Sequence, residues 1–296
     1  MRRSIGIAAS AVLVVAGFSA PAQAAVEGSA APCRVYAGSV TADGAHTGGP
    51  TPNTPGGTTP GVFEPGAVRI STTFTTNPNV AGADIAGWVL QGDSLYQRNY
   101  SITTEGSIDP SWPNDLQRIG GGWTKFTALE VSQYEAAGSP ARTTAYGLRN
   151  DGMLFRWNVR LGTWSRTGST PGFASVKSMA LISKTRTYDT FLASTRGGAL
   201  YTIHVPTSSP MKPVVKVVRS RTWQGFEKLI ATKCGQYGTL LLGIDKDTKA
   251  GYLYAVSRAN GTSTLIQSLG KVQGTYPDPV YFRWAGVASA DPLNGE

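Results

Sequence analysis

Between Ser94 and Tyr254 the chain repeats itself, and the repeat limits the folds open to it more than any other feature. Four short runs, Ser94-Leu95-Tyr96, Met153-Leu154-Phe155, Ala199-Leu200-Tyr201 and Tyr252-Leu253-Tyr254, each follow a polar, glycine-bearing turn. The turns are Gln91-Gly92-Asp93, Asn150-Asp151-Gly152, Arg196-Gly197-Gly198 and Asp247 through Gly251. Ahead of them stand β-rich runs such as Ala145–Leu148, Thr190–Ser194 and Thr239–Ile244, so each unit reads as a hairpin. A second motif alternates with the first. Trp123, Phe126 and Leu129 share their spacing with Trp223, Phe226 and Leu229; Phe173 with Val176 is a weaker copy, and Tyr281 with Trp284 a fourth.

A single four-stranded unit cannot bury both of its faces, so successive units must stack on one another. A period of roughly 40–50 residues with four strands per unit is that of propeller blades. The expected fold is therefore all-β, a small β-propeller of four blades, or five if Val68–Thr76 belongs to a degenerate extra unit. The C-terminal copy stops after Tyr281–Ala288, and the copy around Leu95 has no Trp-x-x-Phe strand before it. Each end supplies what the other lacks. The last strand is predicted to join the N-terminal blade and close the ring, hiding sheet edges that would otherwise be exposed.

The segments before the repeat are of two kinds. Arg2 and Arg3, an apolar run from Ile5 to Phe18 and then Ala22-Gln23-Ala24 make residues 1–24 a secretory signal peptide, too short in its apolar part to span a bilayer. Residues 25–61 contain Cys33 and a stretch, 43–61, made almost wholly of Gly, Pro and Thr, which reads as a tether without a core. The propeller domain is then 62–296, and the protein is expected to be secreted and extracellular, with no membrane span. In an oxidising compartment Cys33 and Cys234 are expected to pair as a disulfide. The formal charge of +9, or +7 without Arg2 and Arg3, is scattered over the chain, and no basic run interleaved with aromatics marks a nucleic-acid track.

The segment from Arg118 to Phe126 (Arg-Ile-Gly-Gly-Gly-Trp-Thr-Lys-Phe), followed by the hairpin Asn150-Asp151-Gly152-Met153-Leu154-Phe155, resembles the repeat of the tachylectin-2-like propeller lectins. The resemblance covers roughly residues 85–290, strongly in one repeat and loosely in the others. It implies a propeller that binds N-acetylated sugars non-covalently, with one shallow site per repeat. The copy at Trp223 has Ser220-Arg221-Thr222 where the glycines stand, and the copy at Phe173 has lost the Trp.

Little in the sequence speaks for catalysis. His46 lies in the tether region and His204 before Val205-Pro206, neither within a nucleophile motif, and both read as structural or merely exposed. No cofactor or metal is implied, since zinc needs three or four ligands and none cluster. Glu105, Asp109, Asp115, Glu130 and Glu135 are the acids from which a glycosidase pair would be drawn. The aromatics carry the clearer signal, because flat rings stack on pyranose faces while amides and carboxylates hold hydroxyls. The candidate ligand-binding residues are Trp123, Trp223, Asn150, Asp151, Trp157 and Asn158, with blade packing the competing role for the two tryptophans at repeat positions and turn formation for Asn150-Asp151. The expected function is a secreted lectin-like propeller whose partner is a carbohydrate or cell-surface glycan. The alternatives are a propeller hydrolase acting on polysaccharide and a cell-surface scaffold or adhesion module.

Overall fold

A computed structural model describes residues 33–51 and 57–296. The predicted signal peptide lies outside the described residues. In chain order the first strands are β1 (Val35–Val40), β2 (His46–Thr51), β3 (Gly57–Thr59), β4 (Val68–Ser71), β5 (Phe74–Asn79), β6 (Gly82–Gln91), β7 (Ser94–Thr103) and β8 (Asp115–Gly120). Three four-stranded antiparallel sheets follow. The first comprises β9 (Phe126–Ala136), β10 (Ser139–Arg149), β11 (Leu154–Arg160) and β12 (Thr163–Thr170). The next comprises β13 (Val176–Lys184), β14 (Tyr188–Thr195), β15 (Leu200–Pro206) and β16 (Val214–Arg219). The last comprises β17 (Lys228–Cys234), β18 (Gly238–Asp245), β19 (Ala250–Val256) and β20 (Ile266–Lys271), after which β21 (Val280–Ala285) returns to the first sheet. That sheet has nine strands on the path β3-β2-β1-β21-β5-β6-β7-β8, with β4 paired to β6. The fold is all-β, one nine-stranded and three four-stranded sheets with no α-helix among the described residues.

Sheets stack on both sides, so central strands lose the polar alternation of a half-exposed sheet: every residue of β14 after Tyr188 is buried. The core is divided into five clusters: four lie between successive sheets, and the fifth, around Phe74 and Phe282, lies among strands of the nine-stranded sheet itself. The repeat leucines Leu95, Leu154, Leu200 and Leu253 are buried, each in a different cluster. Their recurrence reflects packing between sheets.

A backbone hydrogen bond explains why the two sequence motifs alternate. The carbonyl of each hairpin turn accepts the N–H of an aromatic residue that opens the next unit. Gly44 accepts from Phe63, Asp93 from Trp123, Gly152 from Phe173, Gly198 from Trp223, and Lys249 from Tyr276, every one at 3.0 Å. At the second of these clasps the Asp93 carboxylate adds three bonds, from the Thr124 hydroxyl (2.5 Å) and the Gly122 and Thr124 amides (2.9 Å each). These donors, the Thr124 hydroxyl first, hold its pKa down to about 2.

Behind the clasp the packing is volume-matched. A Cβ on Gly147 would stand 2.8 Å from the Phe126 ring, and one on Gly243 2.8 Å from Phe226. In the sheet between them Val176 replaces the phenylalanine, and Ala193 occupies the position of the glycine. A smaller inner residue leaves room for the extra methyl.

Residues 33–51 and 57–61 are not a tether: β1 and β2 pair along their length and β1 pairs antiparallel with β21. Glycines that suggest a linker are there because the Trp284 indole lies over them. A Cβ on Gly38 or Gly48 would come within 2.4 or 1.8 Å of its Nε1. The antiparallel partner of β21 is accordingly β1, while its pairing to β5 is parallel and covers only Trp284–Phe74 and Ala285–Thr75. The expected disulfide is present, joining Cys33 to Cys234 across 201 residues of sequence and fastening the start of β1 to the end of β17. His46 is 2 % exposed, caged by Phe63, Phe74, Phe282 and Trp284, with its Nδ1 2.7 Å from the Tyr100 hydroxyl. Burial, reinforced by the Arg98 charge, pushes its pKa down to about 3.

Two outcomes are expected. Gly147→Ala should destabilise the fold by about 1–3 kcal/mol through overpacking against Phe126, measured by urea unfolding, and an unchanged midpoint would refute the volume matching. The unfolded chain protonates His46 near pH 6.5 and the folded protein only near 3, so stability is full above 6.5 and falls with acidification. In the window from 6.5 to about 4.5, above ordinary carboxylates, the slope should approach about 1.4 kcal/mol per pH unit and flatten in His46→Gln.

Candidate functional site

The tryptophans singled out in the sequence are core residues. Trp123 is 7 % exposed and packs on Phe126 (ring centroids 4.6 Å apart), Trp157 (5.1 Å) and Trp164 (5.7 Å). Trp223 is 5 % exposed, against Tyr254 (4.8 Å) and Phe226 (5.5 Å). Neither ring keeps an open face for a sugar. Trp157 stacks on Phe155 at an interplanar angle of 23°, on the face of β11 that also carries Val159. Asn150 and Asp151 occupy the β10–β11 turn, where Asp151 accepts the Met153 amide (3.1 Å) and pairs with Arg149. Asn158 is exposed four residues into β11, about 13 Å along the strand from that turn. The six residues therefore do not converge on one site.

Asn158 does, however, line a groove. Together with Arg142, Thr144, Arg156, Arg160 and Thr207 it borders a cleft of about 690 Å³ between the β9–β12 sheet and the loop after β15. A second groove of about 690 Å³ lies one sheet further on, between β14–β16 and the loop after β19. The two are related by the repeat. Asn158 and His204 each stand four residues past a repeat leucine, and they pair across their hairpins with Thr144 and Thr190. Arg142 and Tyr188 each precede that threonine by two residues. The repeat conserved the cleft while its lining drifted.

The first groove is basic and largely self-engaged. Arg142 forks onto Asp189 (Nη1–Oδ2 2.6 Å, Nη2–Oδ1 2.8 Å) and reaches the Thr185 carbonyl (2.6 Å). Asp189 has no exposure and also accepts from Ser132 (2.6 Å) and Tyr146 (2.7 Å), so one carboxylate ties two sheets together. Arg156 donates to the Thr167 hydroxyl and the Ser208 carbonyl, both at 3.1 Å, holding the loop that forms the far wall.

The second groove is built differently. Tyr188 and His204 stack 4.3 Å apart at 30°, giving a half-buried aromatic platform. The His204 Nδ1 is 2.5 Å from Glu296 Oε2, and Thr190 also donates to that carboxylate. Lys216, Arg258, Asn260 and Ser263 complete the rim. A flat apolar surface framed by donors and acceptors suits a polyhydroxylated ring. Sequence reading set His204 aside because its partners, Tyr188 and Glu296, are distant in the chain; superposing the repeats four residues past each leucine brings it out.

Three of the five acids considered for catalysis have other engagements. Glu130 accepts the amides of Thr73 (3.1 Å) and Val131 (3.0 Å), Asp109 that of Ser111 (2.9 Å), and Glu105 the Thr104 hydroxyl (2.7 Å). Among the described residues no three His, Cys, Asp or Glu side chains are grouped to hold a metal ion, and no helix is long and apolar enough to cross a membrane.

No family model matches the chain, and no curated protein matches it in sequence. Among solved structures it is similar to the α-L-arabinofuranosidase PaAbf62A of Podospora anserina, determined with cellotriose, at 12 % identity and a TM-score of 0.48 over 77 % of this chain and 81 % of that one. It is also similar to the catalytic domain of a Coprinopsis cinerea GH62 α-L-arabinofuranosidase (11 %, 0.48, 77 % and 80 %). An exo-1,5-α-L-arabinanase from a bovine ruminal metagenomic library is similar at 9 % and 0.43 over 78 % and 92 %. These are likenesses of β-propeller fold.

Breaking the Asp189 hub is expected to be severe. Asp189→Ala should cost about 3–5 kcal/mol in denaturant unfolding because it leaves the Arg142 guanidinium, the Tyr146 hydroxyl and the Ser132 hydroxyl without their shared acceptor. A loss below about 1 kcal/mol would show that the fork contributes nothing net.

Proposed function

We propose that this protein is an exported, five-bladed β-propeller that binds a saccharide non-covalently, with the Tyr188–His204 groove as its principal site. Five core clusters, one of them between the two halves of the nine-stranded sheet, and five turn-to-aromatic clasps support the blade count. In this reading β21 is the inner strand of a blade completed by β1–β3, and the chain ends close the ring. The leader and the Cys33–Cys234 bridge support export.

The single observation that carries the binding reading is the stacked Tyr188–His204 pair in an open cleft, ringed by Asn260, Lys216, Arg258 and Glu296. The tachylectin-like repeat implies one equivalent site per unit. Here drift has put Arg142 where its sister groove has Tyr188, so the two grooves should differ in ligand.

Hydrolysis of a polysaccharide is the second reading, favoured by the His204–Glu296 pair at 2.5 Å in the same groove. Glycoside hydrolysis ordinarily uses two carboxyl groups about 5–10 Å apart, one of them protonated at working pH. The carboxyls that depart from their ordinary values, Asp43, Asp93, Glu105, Asp151, Asp245 and Asp291, all move down. That direction favours anions, not proton donors.

Calorimetric titration with chito-oligosaccharides and with xylo-oligosaccharides is expected to show saturable binding of at least one. Tyr188→Ala should weaken it roughly tenfold, about 1.4 kcal/mol, with the far-ultraviolet spectrum unchanged. No binding of either at millimolar concentration would sink the reading, and release of reducing ends would transfer the groove to the hydrolase.

A further inference from the structure

The inner strands offer a site that the grooves do not use. The N-terminal ends of β4, β9, β13, β17 and β21 surround a pocket of about 140 Å³. Four cations line it: Arg69, Lys177, Lys228 and Lys246. Glu227 is the acid on its wall, and Glu130 interacts with Lys228 from deeper in β9. On the lining itself the cations outnumber the acid four to one, while Glu130, Asp93 and Asp245 act on Lys228, Arg69 and Lys177 from behind it.

The partners of these groups show where the charge is unspent. Arg69 donates to the carbonyls of Gly92 (2.9 Å), Phe126 (2.7 Å) and Trp123, which fixes the guanidinium in place. Lys177 bonds Glu227 at 2.5 Å, and the other Glu227 oxygen accepts the Lys246 amide at 2.8 Å. The Lys246 ammonium donates to the Pro279 carbonyl and feels the Glu227 charge. Among the described residues the Lys228 ammonium makes no side-chain hydrogen bond or ion pair, and the residue, only partly exposed, lines the pocket. An ammonium that lines a small pocket without a protein partner keeps all three of its donors for an anion there. Burial pushes the pKa of Lys228 down, and Glu130 only partly offsets this.

We infer that this mouth of the inner strands is a binding site for a small oxyanion, free or carried as the acid group of a saccharide, with Lys228 as its central contact and Lys246 and Lys177 beside it. At about 30 Å³ per water the pocket holds four or five waters, enough for one tetrahedral or carboxylate group with a residual water. Charge-assisted hydrogen bonds from an ammonium are among the stronger ones available there. The inference stands apart from the groove reading, since none of these residues lines either groove.

The test is calorimetry on the full mature protein with inorganic phosphate in one arm and glucuronate in the other, at constant ionic strength. One saturable site per molecule is expected in at least one arm, and the stronger arm identifies the source of the oxyanion. Lys228→Met should weaken binding about tenfold, Lys228→Arg should keep it, and the surface variant Lys212→Met should match wild type. Without ligand, Lys228→Met should unfold at the same temperature as wild type or higher, because the ammonium has no protein partner to lose. Absence of saturable heat in both arms, or unaltered affinity in Lys228→Met, overturns the inference.

Discussion

The N–H···O=C bond between a hairpin turn and the aromatic residue that opens the next unit is the constraint from which the rest follows. It recurs at Gly44, Asp93, Gly152, Gly198 and Lys249. Each bond on its own contributes about 1 kcal/mol net. Its larger effect is geometric, because it sets how far one sheet stands from the next. With that offset fixed, the repeat leucine falls between sheets and the inner phenylalanine falls against a glycine of its neighbouring strand. Gly147 with Phe126 and Ala193 with Val176 are two solutions of the same volume.

A scaffold held by backbone bonds and volume tolerates change on its outer surface. That freedom is visible at the grooves, where equivalent positions carry Arg142 and Asn158 in one unit and Tyr188 and His204 in the next. In the first, Arg142 is used to hold Asp189 and so serves stability. In the second, Tyr188 and His204 stack at the rim with polar groups around them and few structural obligations. The same backbone therefore yields one groove committed to cohesion and one left open for a ligand.

How much of this was legible in the sequence depends on whether side chains or backbone carry it. The hairpins and their leucines were readable because burial between sheets demands an apolar residue at one fixed place. The strands β1–β3 were not, since Gly38 and Gly48 are glycines for the sake of the Trp284 ring, and a composition argument cannot distinguish that from a linker. The unit they form also lacks the Trp-x-x-Phe text: its clasp uses Phe63, and the one before it uses Tyr276. Trp123 and Trp223 were conspicuous because they repeat, and residues that repeat in a stacked fold are mostly those that pack. His204 was inconspicuous because it departs from the repeat. Function in such a chain is to be sought where the copies differ.

The two ends of the inner strands bear this out electrostatically. At their C-terminal ends Asp291 sits between Arg283 (2.8 Å to each oxygen) and Lys184 (3.1 Å), and the space left is only about 10 Å³. All three side chains are nearly buried, so the triad balances its own desolvation and closes that end. At the N-terminal ends the cations outnumber the acids and the pocket is larger. A ligand drawn to the inner strands is thus admitted from one side, and the unspent charge of Lys228 selects its sign. On the two proposals, the outer groove would read shape through its aromatic pair and the inner mouth would read charge. An acidic saccharide would meet both requirements at two separate places on one molecule.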